Sequence, residues 1–199
     1  MEHVIHLSKD KKLKSLVEGR QPYVLSKRKK IYLQLCYSIL SQQLSTRVAR
    51  VLRKRFLDLY GGKEPTAKQI LETPVSALRS IGFSNAKASY VHNVCRFFIE
   101  NRLTDAKLHK LSNDEVLALL TQIKGVGKWT VEMILMFTLA REDVFSVDDL
   151  GLRQSVIRLY KIKVTDKKLL REKLEKISSK WSPYRTYACL YLWGWKDGE

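Results

Sequence analysis

Apolar residues recur at helical spacing along almost the whole of this chain, and that regularity excludes most folds before any motif is considered. Ile31, Leu35, Ile39 and Leu40 form a stripe, widened by Leu33 and Cys36, that predicts a mostly buried helix over about 28–43. Val48, Val51, Leu52 and Leu59 predict a second stripe, closed by Gly61-Gly62. Thr73-Pro74 reads as an N-cap followed by proline at the first helical position. Gly82 and Ser84 break the chain before a long helix from Asn85 to about Asn101. Ser112 and Glu115 have capping-box spacing, and the helix after them carries Val116, Leu119, Leu120 and Ile123 inward. Further helices are expected over about 128–139, from the acidic pair Asp148-Asp149 through Leu152, Val156, Ile157 and Tyr160, and over about 166–178 and 183–195. Strand alternation and internal repeats are missing. The class is all-α, with roughly ten helices and short connections.

Charge narrows the partner. The 199 residues hold 37 basic and 20 acidic side chains, a net charge of +17. Residues 1–60 carry 14 of the basic and 4 of the acidic ones. An excess of this size favours a polyanion, most commonly nucleic acid; a surface tuned for solubility is the plainer alternative. The run Lys27-Arg28-Lys29-Lys30 reads as a solvated helix start near a nucleic-acid face, or as a nuclear address. Cys36, Cys95 and Cys189 are far apart and sit in apolar runs, so a zinc site, an iron–sulfur cluster and a disulfide framework have no support, and a reduced, intracellular protein is expected. The four histidines show no ligand spacing. No signal peptide and no bilayer-length apolar run is present, so no membrane role is expected.

Ile123-Lys124-Gly125-Val126-Gly127-Lys128 lies between two helical patterns. Gly125 and Gly127 allow positive φ and close backbone approach, and Val126 is the apolar peg of the turn. Amides from Gly125 to Lys128 at a helix start form a ready anion site that would hold a DNA phosphate without reading sequence. An ordinary helix connection closed by glycine has the same pattern. Two dozen residues later comes Asp148-Asp149. Aspartate is a preferred cap and first-turn residue, so one of the pair can cap the helix while the other acts chemically.

From here the chain resembles the helix–hairpin–helix DNA glycosylases of the HhH-GPD superfamily, most closely the 3-methyladenine DNA glycosylase II group. The resemblance takes in ILSQQLSTRVA (39–49), SIGFSNAKASYVHNV (80–94), LTQIKGVGKWT with FSVDDLGLRQ (120–154), and WSPYRTYACLYLWGW (181–195), in the family's order. It implies two helical lobes with a DNA-binding cleft between them: about 28–145 with the hairpin, and about 1–27 with 146–199, beginning at the catalytic acid. It implies Asp149 as catalytic aspartate, with Asp148 in a lesser structural role. Trp129 stands where bifunctional relatives carry a lysine nucleophile, and tryptophan cannot form a Schiff base, so a monofunctional enzyme is implied. Trp129 and Trp193 match aromatic walls of the base pocket, and Met133 replaces a pocket tyrosine of some members. Trp193 also lies in an apolar run where a core role is common. Gln43 and Leu44 match the wedge that enters the base stack, although Leu44 could simply continue the 31–40 stripe. Gly125, Val126, Gly127 and Lys128 match the phosphate grip. The carbonyls of Thr121, Ile123 and Val126 match those that hold a monovalent cation, Na+ or K+; no other cofactor is implied. The segment Val144–Val147 lacks the glycine or proline frequent in the family.

The function implied is flipping out and hydrolytic release of alkylated bases of the 3-methyladenine and 7-methylguanine type in base excision repair. The partner would be double-stranded DNA carrying a damaged base, the protein a monomer, and the place the cytoplasm and nucleoid, or the nucleus of a eukaryote. A glycosylase for another lesion and a non-catalytic hairpin DNA-binding protein are the alternatives.

Overall fold

The computed structural model describes residues 1–198, with Thr46 described through its backbone alone. Among the described residues there is no strand. The helices run in chain order as α1 (Glu2–Leu7), α2 (Lys11–Val17), α3 (Ile31–Ser41), α4 (Thr46–Asp58), α5 (Ala67–Glu72), α6 (Val75–Ser80), α7 (Asn85–Glu100), α8 (Asp105–Lys110), α9 (Asn113–Leu120), α10 (Lys128–Phe137), α11 (Leu150–Tyr160), α12 (Lys167–Ser178) and α13 (Arg185–Asp197), with a short 3-10 turn at Ser179–Trp181. The chain divides into two compact units. One is Met1–Lys27 with the described residues from Leu135 onward, and the other is Arg28–Ile134. The division falls inside α10, whereas the family resemblance implied one near 145. The end of α10 carries Phe137, whose ring lies 5.7 Å from that of Trp193 on α13.

In Arg28–Ile134, α7 packs against α3 and α5. Ile31, Leu33, Leu35 and Ile39 of α3 are fully enclosed, as are Ala88, Val91, Val94 and Cys95 of α7. The helix expected from about 28 begins at Ile31. Lys30 takes a left-handed conformation (φ 57°), and the carboxylate of Asp105 on α8 accepts the amides of Lys30 (2.7 Å) and Ile31 (3.0 Å). A carboxylate from 75 positions away thus supplies the cap, and nothing local in the sequence announces it. On α4 the buried face is Leu52 and Phe56. The expected stripe is therefore overturned in part: Val48, Val51 and Leu59 are exposed at 45%, 46% and 38%. Phe56 stacks on Phe83 and turns the helix so that those residues face outward. Pro74 is itself the N-cap of α6, one position later than Thr73-Pro74 suggested. The capping box of Ser112 and Glu115 forms as expected, and Thr66 with Gln69 makes a second one.

In the other unit, α13 packs against α11 and α2. Asp10 joins distant parts of the sequence. It caps α2 through the amides of Lys12 (2.9 Å) and Leu13 (3.4 Å) and accepts the Trp181 indole N–H (3.2 Å) and the Tyr160 hydroxyl. Burial opposes the ionised form of Asp10, but these hydrogen bonds outweigh it and hold its pKa below the usual value. Cys36, Cys95 and Cys189 are buried free thiols.

Candidate active site and nucleic-acid interface

Asp149 is positioned by the segment between α10 and α11. Ala140 turns the chain with φ 55°, and the Arg141 amide closes back on the Leu135 carbonyl (2.9 Å). The N-terminus of α13 then latches the next residues. The fully buried Thr186 hydroxyl donates to the Arg141 carbonyl (2.6 Å) and accepts the Val144 amide (3.1 Å), and the Thr186 amide donates to the Glu142 carbonyl (2.9 Å). The Arg185 guanidinium grips the Asp143 carboxylate at 2.6 and 3.0 Å, and the Ser182 hydroxyl adds a bond at 2.8 Å. Burial disfavours the Asp143 carboxylate, yet the bonds from Arg185 and Ser182 prevail and its pKa lies below the ordinary range. This latch gives Val144–Val147 a defined course without glycine or proline.

The acidic pair then divides its work. Asp148 is exposed and pairs with Arg171 at 2.7 and 3.4 Å. Asp149 is half-buried and is itself the N-cap of α11; its Oδ1 accepts the Leu152 amide at 2.8 Å. The same oxygen accepts the indole Nε1–H of Trp193 at 3.1 Å. Two donors at a helix N-terminus therefore fix the carboxylate's orientation. Trp193 is half-buried, and its ring edge packs beside Gly151, which has no side chain. A Cβ on Gly151 would stand 3.2 Å from that Asp149 oxygen and 3.5 Å from the Trp193 ring edge. Gly151 has no turn to make, since it sits inside the first turn of α11. A glycine inside a helix, where it costs stability, was the one available hint of this close approach.

The hairpin belongs to the other unit. Gly125 has φ +101°, and a Cβ there would fall 2.1 to 2.6 Å from atoms of Tyr90 on α7. Both conformation and space thus demand glycine at 125. Gly127 differs from the expectation: its φ is not positive and a Cβ would meet nothing, so only openness toward a ligand distinguishes it. Ile123 and Val126 are buried, and the Val126 amide closes the turn on the Ile123 carbonyl (2.9 Å). Asn93 of α7 ties the turn down through the Lys124 carbonyl (3.2 Å). Lys124 and Lys128 remain exposed, with Lys128 3.7 Å from buried Glu132. One turn of helix separates Trp129, 39% exposed, from half-buried Met133.

Gln43 and Leu44 occupy the turn between α3 and α4, where Gln43 is exposed and Leu44 half-buried. Gln43 holds φ 60°, an uncommon conformation for a residue with a side chain. Two residues without a sequence-derived role support it. The Lys87 ammonium donates to the carbonyls of Leu40 (2.9 Å) and Gln42 (2.8 Å), and burial lowers its pKa. The Gln42 amide donates to Thr130 on α10 (3.3 Å), linking this turn to the helix that follows the hairpin. A lysine facing helix-end carbonyls is compatible with many solvated lysines in sequence, so its role is visible only once the chain is folded.

Among the described residues, no cluster of three or more His, Cys, Asp or Glu is placed to hold a metal ion, and no helix is long and apolar enough to cross a membrane. An all-helical chain with a glycine hairpin leading into a helix, and a helix-capping aspartate bound by a tryptophan, matches a known family. The model for the HhH-GPD superfamily of base excision DNA repair proteins covers residues 36–180, and the chain belongs to that superfamily. It is 34% identical over 185 residues to DNA-3-methyladenine glycosylase 1 of Schizosaccharomyces pombe, spanning 92% of this chain and 80% of that one. Its fold is similar to that of the Schizosaccharomyces pombe 3-methyladenine DNA glycosylase solved in complex with abasic DNA (TM-score 0.84, 33% identity, 98% of this chain and 96% of the other). It is similar also to a DNA-3-methyladenine glycosidase structure from Bacillus halodurans (TM-score 0.84, 34% identity, 100% and 90%).

Proposed function

We propose that this chain is a monofunctional DNA N-glycosylase that flips alkylated bases out of double-stranded DNA and hydrolyses their glycosidic bonds, acting as a monomer in base excision repair. The observation that carries the proposal is Asp149, whose Oδ1 is held at once by the Leu152 amide and the Trp193 indole at the start of α11. A base inside a duplex is out of reach, so the nucleotide must first leave the stack. Leu44, with Gln43, is the wedge that fills the gap and offsets an unstacking cost of a few kcal/mol. The Gly125–Lys128 amides and the exposed Lys124 and Lys128 grip the backbone. Alkylation at a ring nitrogen makes the base cationic, so its departure neutralises charge and the bond is already weakened. Rings such as Trp129 and Trp193 favour a cationic guest, and Met133 belongs to the same proposed base-binding set; a desolvated cation–π contact is worth about 2 kcal/mol.

As the bond breaks, positive charge grows on the sugar, and the ionised Asp149 carboxylate stabilises it and orients the attacking water. With tryptophan at 129 there is no amine to capture the sugar, so the strand stays intact. The relatives' names, DNA-3-methyladenine glycosylase among them, support 3-methyladenine as a leaving base, and 7-methylguanine is added because its alkylated ring carries the same positive charge. The hairpin would take a structural Na+ or K+. The carbonyls of Thr121, Ile123 and Val126 would hold it, and the Ile123 oxygen that accepts the Val126 amide keeps a second lone pair for the purpose. Such an ion would supply positive charge beside the bound phosphate. Solution in the cytoplasm or nucleus, wherever the DNA is, completes the picture.

The deciding experiment uses Asp149→Asn. Asparagine caps helices as well as aspartate does, so stability should change by less than about 0.5 kcal/mol. Release of 3-methyladenine and 7-methylguanine from methylated DNA should fall by about a thousandfold or more, with duplex affinity kept. A variant that still releases bases would remove Asp149 from the chemistry. A wild-type protein that binds DNA but releases nothing would instead make the chain a hairpin-based DNA binder.

A further inference from the structure

Beside the Asp148-Asp149 turn, α11 and α12 wall a groove of about 640 Å³ on the unit that carries Asp149. Its floor is apolar. Val147 and Leu174 are buried beneath it, Leu170 is half-buried, and the neighbouring Leu169 stands 57% exposed. Its rim is cationic. Arg171 is already held by Asp148 (2.7 Å) and Glu175 (3.0 Å), whereas Arg153, Lys167 and Lys168 have no carboxylate partner among the described residues. A phosphate backbone has use for such cations but not for an apolar floor, which would stay wet under it. An apolar centre ringed by unpaired charge of one sign is the anatomy of a protein-binding groove, and its volume suits a few anchoring side chains.

We propose that this groove docks an acidic amphipathic helix of a partner protein. Its leucine-type anchors, one turn apart, lie over Leu170 with Val147 and Leu174 packed beneath, and its carboxylates meet Arg153, Lys167 and Lys168. The docking does not depend on the glycosylase activity. It gives the chain a handle for another protein on a surface defined by α11 and α12 rather than by the hairpin.

The test uses a fluorescein-labelled synthetic helix of about a dozen residues, with leucines at i and i+4 and glutamates elsewhere, titrated with the full chain at low salt and read by anisotropy. Saturable binding with Kd on the order of 10 μM is expected. It should weaken at least about tenfold in the Lys167→Glu/Lys168→Glu variant, and equally when serine replaces the peptide leucines. Base release by that variant should be unchanged. Arg153→Glu should repeat the loss from the other wall of the groove. No saturable binding, or binding indifferent to the leucines or to the lysines, overturns the proposal. Displacement of the peptide by undamaged duplex, together with weakened DNA binding by the double variant, would assign the groove to DNA and overturn it as well.

Discussion

Asp149 spends one oxygen on two donors, and that economy leaves the site sensitive to very small changes nearby. A methyl group at position 151 would press on the Asp149 carboxylate at 3.2 Å and lie in ordinary contact with Trp193 at 3.5 Å. Gly151→Ala is therefore expected to split its effects. The backbone φ at 151 is not positive, so alanine is allowed there, and alanine favours the helix by as much as about 1 kcal/mol. The melting temperature should hold or rise, while the rate of base release drops by at least about tenfold because the carboxylate must shift by tenths of an ångström. A thermal melt beside single-turnover release measures both. Unchanged turnover would show that the geometry tolerates the shift. Gly125 is the opposite case, since alanine would have to displace the Tyr90 ring and hold φ +101°. In sequence the two glycines look alike as interruptions of helical patterns. Only one announces itself, because it lies between helices, whereas the other is hidden inside one.

At the scale of the element, the positioning devices are latches between a helix end and a loop. Thr186 and Arg185 at the start of α13 hold Arg141–Val144, and Lys87 of α7 holds the carbonyls at the end of α3. Lys87→Met keeps the aliphatic stem and deletes both bonds to Leu40 and Gln42. Because the lost bonds are to a charged donor, a stability loss of about 1.5–3 kcal/mol is expected for the pair. If the Gln43-Leu44 turn is the wedge, duplex binding should be affected little and base release by about tenfold or more, since hairpin and cations still grip the backbone. Equal losses in binding and release would place Lys87 in general folding alone. The longer helices were legible from periodicity and caps, as at Ser84 and Ser112, where each side chain bonds the amide three residues on. The start of α3 was not, because its cap is Asp105. The exposed face of α4 was not, because burial there is decided by the partner Phe83 rather than by the pattern of α4 itself. Likewise Asp149 was legible as a cap and as the family's acid, but its bond to Trp193 depends on a tertiary approach that spacing alone does not contain.

Across the whole molecule, the charge that suits DNA also opposes compactness in acid. With +17 already present near neutrality, each protonated carboxylate adds repulsion. Asp10 and Asp143 have pKa values lowered in the fold, where burial is outweighed by hydrogen bonds. The unfolded chain therefore binds protons more readily at these positions. Their stabilisation is complete above the ordinary carboxylate range and is lost as pH falls through the lowered values. Thermal unfolding followed from about pH 6 down to about pH 2.5 should show a steep loss below about pH 4. Asp143→Asn should start lower and fall less steeply, because Arg185 has then lost its charged partner at every pH. A variant with the same slope as the wild type would put the acid sensitivity elsewhere.

Asp10 also fixes an order of events during synthesis. Residues 28–134 form a compact unit from one uninterrupted stretch, whereas Met1–Lys27 belong with residues that follow Ile134. A ribosome releases Asp10 long before it makes Tyr160 and Trp181, the two side chains that bind its carboxylate. The middle of the chain can therefore settle as it emerges, while the first two helices wait, solvated and unfinished, for the last quarter of the polypeptide.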